Sequence, residues 1–450
     1  MTILATVIVL GVLIFVHELG HFAAAKAVGI EVQRFSIGLG PKVVGYTYGE
    51  TEYVFSAIPL GGYVKMGGMD DEVMERLEGG ATPREPGARD FDSKPIWART
   101  LVISAGVIMN MIFAFGLYVF VFANWGLPEL STTRLGIVQV ETLPPGTEGL
   151  ARIAPGSRFV RIGSAEIESW GDVQRGLLNS PPGPIQIELV EPQYVVEIRI
   201  PADEMERRAL TGSVGSWIEA GVGALIPGGP AAKAGLEIGD RITAVNGDAV
   251  ENWYDFVSEI QSRPGQRVEL SVVREGREIV RALTVDAEEV EQADGTTATI
   301  GRVGIQQPGG DITYSSVPVS AAFGYGYRET VAVAGMILGF LGDLVTGGVS
   351  PRSLGSIVTI GEFSGRAAAL GLDYYLRFMA MFSINLAVLN LMPIPVLDGG
   401  HLVFLAIETV RGGRGLTLEQ KLKWSNFGFL IVVGIMLLAL SNDVLRLLGL

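Results

Sequence analysis

Four apolar stretches of this chain read as bilayer spans, and each meets polar residues in its own way. From about Ile3 to Ala25 the only formal charge is Glu18, and at 1.5 Å per residue the run predicts a helix long enough to span. A second run, about Leu101 to Ala123, follows Trp97 and Arg99 and is closed by Trp125, the aromatic placement of two membrane interfaces. The third, Leu376 to Val410, exceeds one span. It is broken at NLMPIPVLDGGH, where Pro393 and Pro395 cannot continue helical hydrogen bonding and Gly399 and Gly400 allow close backbone approach. A last span is expected at roughly Phe427 to Leu440. Val331 to Val345 is short, interrupted by Gly335, Gly339 and Gly342, and contains Asp343; it predicts an amphipathic or interfacial helix.

Between the first two runs the pattern changes to alternation. VVGYTYGETEYVFSAIPLGGYVKM, Val43 to Met66, turns around Gly49 and Glu50 and predicts a small β-hairpin or sheet. Pro59, Gly61 and Gly62 weaken its third strand, which suits an edge or a close backbone approach. Gly68 to Lys94, rich in Gly, Pro, Asp and Glu, reads as a loop.

Composition agrees with a membrane protein that carries soluble parts: 48% hydrophobic residues and a mean hydropathy of +0.38 over 450 residues. The net charge of −14 argues against a nucleic-acid partner and is unevenly spread. Ser131 to Gly310 holds 16 Lys plus Arg against 26 Asp plus Glu, a difference of −10, so the excess belongs to one acidic insert. With no cysteine, any metal takes nitrogen and oxygen ligands. No Lys or Arg precedes Lys26, so the first run lacks the basic start of a cleaved signal and predicts a retained span. Lys26 and Arg34, and later Arg411, Arg414, Lys421 and Lys423, mark cytoplasmic ends.

The candidate chemistry lies in the first run. His17 and His21 are four residues apart, on one face of a helix, so both imidazoles can bind one metal while Glu18 stands beside its open position. That is the wiring of metal-assisted hydrolysis. A third ligand must come from elsewhere, and Asp398, a carboxylate in apolar surroundings, is the candidate; the alternative is that Asp398 caps the helix starting near His401. Gly106 and Asn110 share a face of the second run, for close packing and one polar side chain.

Within the insert, Gly223 to Phe256 looks like a bacterial PDZ domain, with Gly235, Gly239, Asp240, Asn246 and Gly247 punctuating short strands. Ala151 to Gln174 echoes it, with Ser164 and Ala165 where the second copy has Asn246 and Gly247. Two tandem PDZ-like modules are expected, whose ligand is a peptide strand or C-terminus; a pure size filter is the alternative.

Together HELGH at His17, GGYVKM at Gly61, the Gly106-x-x-x-Asn110 spacing, the PDZ-like insert and the string from Asn390 to His401 resemble the site-2 protease family of intramembrane zinc metalloproteases, most closely its bacterial members. The resemblance covers nearly the whole chain. It implies His17, His21 and Asp398 as ligands of one zinc ion and Glu18 as general base. It also implies Asn390 and Asn110 as polar positions near the substrate cleft, and Gly61, Gly62 and Tyr63 as part of a membrane-associated β-loop that binds substrate. Val107 and Ser356 depart from the bacterial pattern, away from the metal motif. His401 is expected around the site rather than as a fourth ligand.

The expected fold is therefore a polytopic α-helical membrane protein of four transmembrane helices, with a small membrane-associated β-sheet and a soluble insert of two tandem PDZ-like α+β domains. Expected boundaries are 1–126 for the N-terminal membrane part, 127–218 and 219–310 for the two modules, 311–370 for an interfacial segment and 371–450 for the C-terminal membrane part. The expected function is cleavage of single-span membrane proteins, of the anti-sigma-factor type after a first trimming cleavage, and also of signal-peptide remnants. The implied setting is the bacterial inner membrane, with the active site towards the cytoplasm and the modules outside it. A membrane-anchored PDZ adaptor with a structural metal is the alternative, testable at Glu18. A metal transporter would want carboxylates and histidines on more than one pathway-lining span.

Overall fold

The computed structural model describes residues 2–68, 87–291 and 296–447, so residues 69–86 of the expected Gly68 to Lys94 loop lie outside the described residues. The chain divides into two units. One comprises residues up to Gly126 and from Ser316 onward, and the other Leu127 to Ser315.

Helix α1, Thr2–Ala27, opens the first unit. Its buried positions Ala5, Val9, Leu13, Val16, His17, Gly20 and His21 recur at the helical period, so one stripe faces protein and the rest is free to face lipid. Strands β1, Val32–Tyr48, and β2, Thr51–Met66, form the expected hairpin, longer than the alternation suggested. Thr51 to Phe55 pairs with Val44 to Tyr48, while Gly62 to Met66 runs back along Val32 to Ile37. At the tip, Glu50 accepts hydrogen bonds from Arg89 and Lys26. These two cations lower the carboxyl pKa to about 2. Helix α2, Ile96–Asn124, follows.

Strand β3, Leu127–Leu130, enters the second unit. Its first module contains β4 (Leu135–Val138), β5 (Arg158–Ile162), β6 (Ala165–Glu166), α3 (Trp170–Asn179), β7 (Gly183–Val190), β8 (Tyr194–Ile200), α4 (Glu204–Gly212) and β9 (Val214–Ser216). Then come β10 (Ala224–Leu225), α5 (Pro230–Lys233), β11 (Arg241–Val245), β12 (Asp248–Ala249), α6 (Trp253–Gln261), β13 (Arg267–Arg274), β14 (Arg277–Thr284), the hairpin β15 (Asp286–Glu291) and β16 (Thr297–Arg302), and β17 (Ile305–Gln306). The two four-stranded sheets have the same order, β6-β5-β7-β8 and β12-β11-β13-β14. Each has its own core, around Phe159, Ile162, Leu177 and Ile187 in one and Ile242, Val245, Phe256 and Leu270 in the other. The helices α3 and α6 even start alike, with capping boxes at Ser169 and Asp172 and at Asn252 and Asp255.

The repeat corrects one expected equivalence. Ile162 pairs with Ala165 as Val245 pairs with Asp248, so Gly163 and Ser164, not Ser164 and Ala165, match Asn246 and Gly247. The turn's first position is left-handed in both copies, Gly163 at φ +58° and Asn246 at φ +53°, and glycine and asparagine are the residues that tolerate it.

Strand β18, Ile312–Ser315, leaves the unit paired antiparallel with β3. Glu129 on β3 is the hub of this exit. Its Oε2 accepts from Ser169 Oγ at 2.7 Å and Ser315 Oγ at 2.6 Å, and Arg175 grips both carboxylate oxygens. A Cβ on Gly171 would fall 2.2 Å from that carboxyl group.

The first unit resumes with α7, Val319–Thr346, α8, Ile357–Leu370, α9, Leu372–Asn390, α10, Asp398–Val410, and α11, Leu418–Leu447. Five helices among the described residues, α1, α2, α7, α9 and α11, are long and apolar enough to cross a membrane, where four were expected. The addition is α7. The segment expected as a short piece from Val331 to Val345 is the end of a 28-residue helix, because nothing between Pro318 and the left-handed Gly347 stops helical hydrogen bonding. Asp443 of α11 caps α8 from outside, accepting from the amides of Ser356 and Thr359 at 2.8 and 3.2 Å and from both hydroxyls.

Candidate metal centre and cleft

The helical stripe of α1 turns His17 and His21 inward, both under 10% exposed, and α2 closes over them. Two glycines make that contact possible. A Cβ on Gly20 would meet the carbonyl oxygen of Ala105 at 2.3 Å, and one on Gly106 would meet Nε2 of His21 at 2.4 Å and Cε1 of His17 at 2.7 Å. The rings therefore lie directly on the backbone of α2.

Asp398 arrives from the other end of the chain. The turn after α9 packs its carbonyls onto two glycines, Leu391 O at 2.2 Å from a Cβ on Gly399 and Ile394 O at 2.3 Å from one on Gly400. This delivers Asp398 as the first residue of α10, with Leu397 as the N-cap. Asp398 is not the cap; its carboxylate points to the histidines, with Oδ2 3.3 Å from His17 Nε2 and 3.5 Å from His21 Nε2. The two Nε2 atoms are 3.2 Å apart. One atom from each of the three side chains fits within 4.8 Å of the others, the spacing of a single-metal site.

The hydrogen bonding says what this triangle lacks. His21 Nδ1 lies 2.8 Å from the Val102 carbonyl oxygen, which can only accept, so Nδ1 carries a proton and the neutral form of the ring turns an Nε2 lone pair inward. Asp398 Oδ2 is buried in no hydrogen bond. Lone pairs converging in a buried space repel unless a cation lies among them, and two imidazole nitrogens with one carboxylate oxygen form the three-ligand set of a catalytic zinc site. The residues fit the metal.

The cleft in front of the triangle encloses about 360 Å³ and is lined by Glu18, Asn390, His401, Val396 and the strand Gly61 to Val64, among others. Gly62 backs directly onto the helix, since a Cβ there would fall 2.8 Å from Glu18 Cγ. Asn390 Nδ2 stands 3.4 Å from His17 Nε2. Asn110, expected near the cleft, lies instead behind His17, wholly buried, with Nδ2 3.3 Å from His17 Nδ1. His401 sits in the first turn of α10 outside the triangle. The contact that sequence reasoning missed is the Val102 carbonyl, a backbone atom that leaves no trace in residue types.

Comparison with known proteins agrees with this chemistry. The family model described as Peptidase family M50 matches residues 5–435. The chain is 34% identical over 464 residues to the regulator of sigma-E protease of Salmonella typhimurium, covering 98% of each, and 33% identical over 462 residues to that of Escherichia coli, again covering 98% of each. It is also 33% identical over 464 residues to a Neisseria meningitidis protein whose name describes a zinc metalloprotease, covering 100% of each. A buried histidine pair and carboxylate on apolar helices, matched over nearly its full length to such relatives, place this chain in peptidase family M50 as a zinc metalloprotease.

Proposed function

We propose that this protein cleaves single-span membrane proteins within or beside the bilayer, with His17, His21 and Asp398 holding one zinc ion and Glu18 as general base. The observation that carries the reading is the convergence of His17, His21 and Asp398 at the back of a cleft that Glu18 also lines. When bound, zinc supplies Lewis acidity for activating water and polarising the scissile carbonyl. Glu18 takes the proton from the attacking water and passes it to the departing amine. Asn390, on the open side of His17, is suited to hold a substrate carbonyl.

A helical substrate hides its peptide bonds, so an extended segment is needed. Gly62 to Met66 pairs on one side with Val32 to Ile37 and lines the cleft, an edge on which a substrate strand can be laid. Gly61, Gly62 and Tyr63 are the contact positions in this reading.

Four crossings, α1, α2, α9 and α11, suit the chain better than five. The start of α7 meets the end of α2, with Tyr325 against Phe122. α8 lies by the start of α1, Thr6 being 3.5 Å from a Cβ on Gly361. Tyr375 near the start of α9 donates to Ala5 O, and Arg377 to Gly126 O, so all these ends share one face. The 28 residues of α7 extend about 42 Å. If α7 crossed, residues 347–356 would have to return through hydrocarbon without a regular helix, which unsatisfied backbone groups forbid. α7 is therefore read as lying along the interface. On the opposite face, Arg99 at the start of α2 pairs with Glu408 near the end of α10, which brings the Lys26 and Arg411 to Lys423 regions together as the cytoplasmic side of a bacterial inner membrane.

The two modules between Leu127 and Ser315 then lie outside the cytoplasm as tandem PDZ-like domains, binding a peptide end or excluding untrimmed substrates. Anti-sigma factors shortened by a first protease, and signal-peptide remnants, are the substrate classes proposed. The test is cleavage of a single-span substrate in proteoliposomes by wild type and Glu18→Gln, each with and without a chelator. Only chelator-free wild type is expected to cut; equal cutting by Glu18→Gln would end the general-base assignment.

A further inference from the structure

We propose that Asn110 is a positioning residue that fixes His17 in its metal-binding tautomer by accepting a hydrogen bond from Nδ1. The proposal rests on the reading of His17 as a ligand through Nε2. That nitrogen faces the triangle, 3.2 Å from His21 Nε2 and 3.3 Å from Asp398 Oδ2. Ligation needs Nε2 without its proton, so the neutral ring must carry the proton on Nδ1 and needs an acceptor there. His21 has the Val102 carbonyl for this purpose. On the corresponding side of His17 stands the amide of Asn110, 3.3 Å away.

The orientation of that amide follows from what each end can satisfy. With Nδ2 towards the ring, Nδ1 would have to accept, the proton would move to Nε2, and Oδ1 of Asn110 would remain buried without a partner. A half-turn of the amide exchanges its two ends at almost no change in shape. Oδ1 then accepts from Nδ1–H, and Nε2 keeps its lone pair for ligation. Asn110 is held for this task from a third helix, since Ser383 Oγ of α9 donates to its main-chain oxygen at 2.8 Å. It is wholly buried and absent from the cleft lining, which separates this role from substrate contact.

The experiment measures zinc affinity of the purified full-length protein by competition with a chelator, alongside thermal unfolding of the metal-free form. Asn110→Leu removes the acceptor and is expected to weaken zinc binding about 10–100-fold, whereas Asn110→Asp, which accepts but cannot donate, is expected to stay within about threefold of wild type. Wild-type affinity in Asn110→Leu, or a loss in Asn110→Asp as large as in Asn110→Leu, would overturn the proposal. If metal-free Asn110→Leu does not fold, Asn110→Asp decides alone, and a loss there of about tenfold or more overturns the proposal. His17→Ala separates the two readings. Unchanged affinity in His17→Ala removes His17 as a ligand and the proposal with it, while loss there with no loss in Asn110→Leu removes only the role of Asn110.

Discussion

Gly106 lies against His21 so closely that a Cβ on it would sit 2.4 Å from Nε2. The neighbouring helix is thus the rear wall of the metal site, and the wall has no slack. Gly106→Ala should displace one or both rings and lower zinc affinity by about 10–100-fold, the range for disturbed ligand support. Zinc retained after dialysis against graded chelator measures this, and unchanged retention would mean that α1 and α2 can separate without cost.

Gly62→Ala probes the front of the cleft instead. Its Cβ would meet Glu18 Cγ at 2.8 Å, Ile14 Cγ2 at 2.9 Å and the Ser36 carbonyl oxygen at 2.9 Å. Zinc content should remain, while kcat/KM falls by about 10²-fold as strand and base move apart. Parallel assays of bound zinc and cleavage distinguish this outcome from that of Gly106→Ala.

Glu129 should make the insert acid-sensitive. Burial raises its pKa, but hydrogen bonds from Arg175, Ser169 and Ser315 outweigh that and hold the carboxyl below its usual range. A depressed folded-state pKa stabilises fully above the unfolded value of about 4.3 and is lost as pH falls through the folded value. Calorimetry of the full chain should show the insert's transition falling in temperature below about pH 4, less steeply in Glu129→Gln. At pH 7, Glu129→Ala should cost about 2–3 kcal/mol, since it leaves charged and hydroxyl donors unmatched.

Asp443→Ala should loosen α8 and the end of α11 together. Two backbone amides and two hydroxyls lose their acceptor, a cost of about 1–2 kcal/mol by analogy with helix caps. Hydrogen exchange at Ser356 to Thr359 should rise while exchange at His17 to His21 is unaffected.

The site was legible because its chemistry is written in short spacings. His17 and His21 stand four positions apart, and a carboxylate followed by two glycines marks the turn that delivers Asp398. The extent of α7 was hidden, since Arg328 and Glu329 break the hydropathy without breaking the helix. Glu129 was equally hidden. Its partners Ser169, Arg175 and Ser315 are 40 to 186 positions away, and nothing local to LPEL announces them. The slipped equivalence at Gly163 arose because a left-handed turn position accepts either glycine or asparagine.

Strands β3 and β18 place Leu127 opposite Ser315, so the excursion between them begins and ends at one rung. A free loop of that length would oppose the meeting of α2 and α7 by about 5 kcal/mol of lost chain freedom. With its ends already joined, the insert presents the membrane helices with something no longer than a tight hairpin. Folding of the bilayer portion can then proceed almost as if those residues had been spliced out, and replacing them by a short turn should leave α2 and α7 able to find each other.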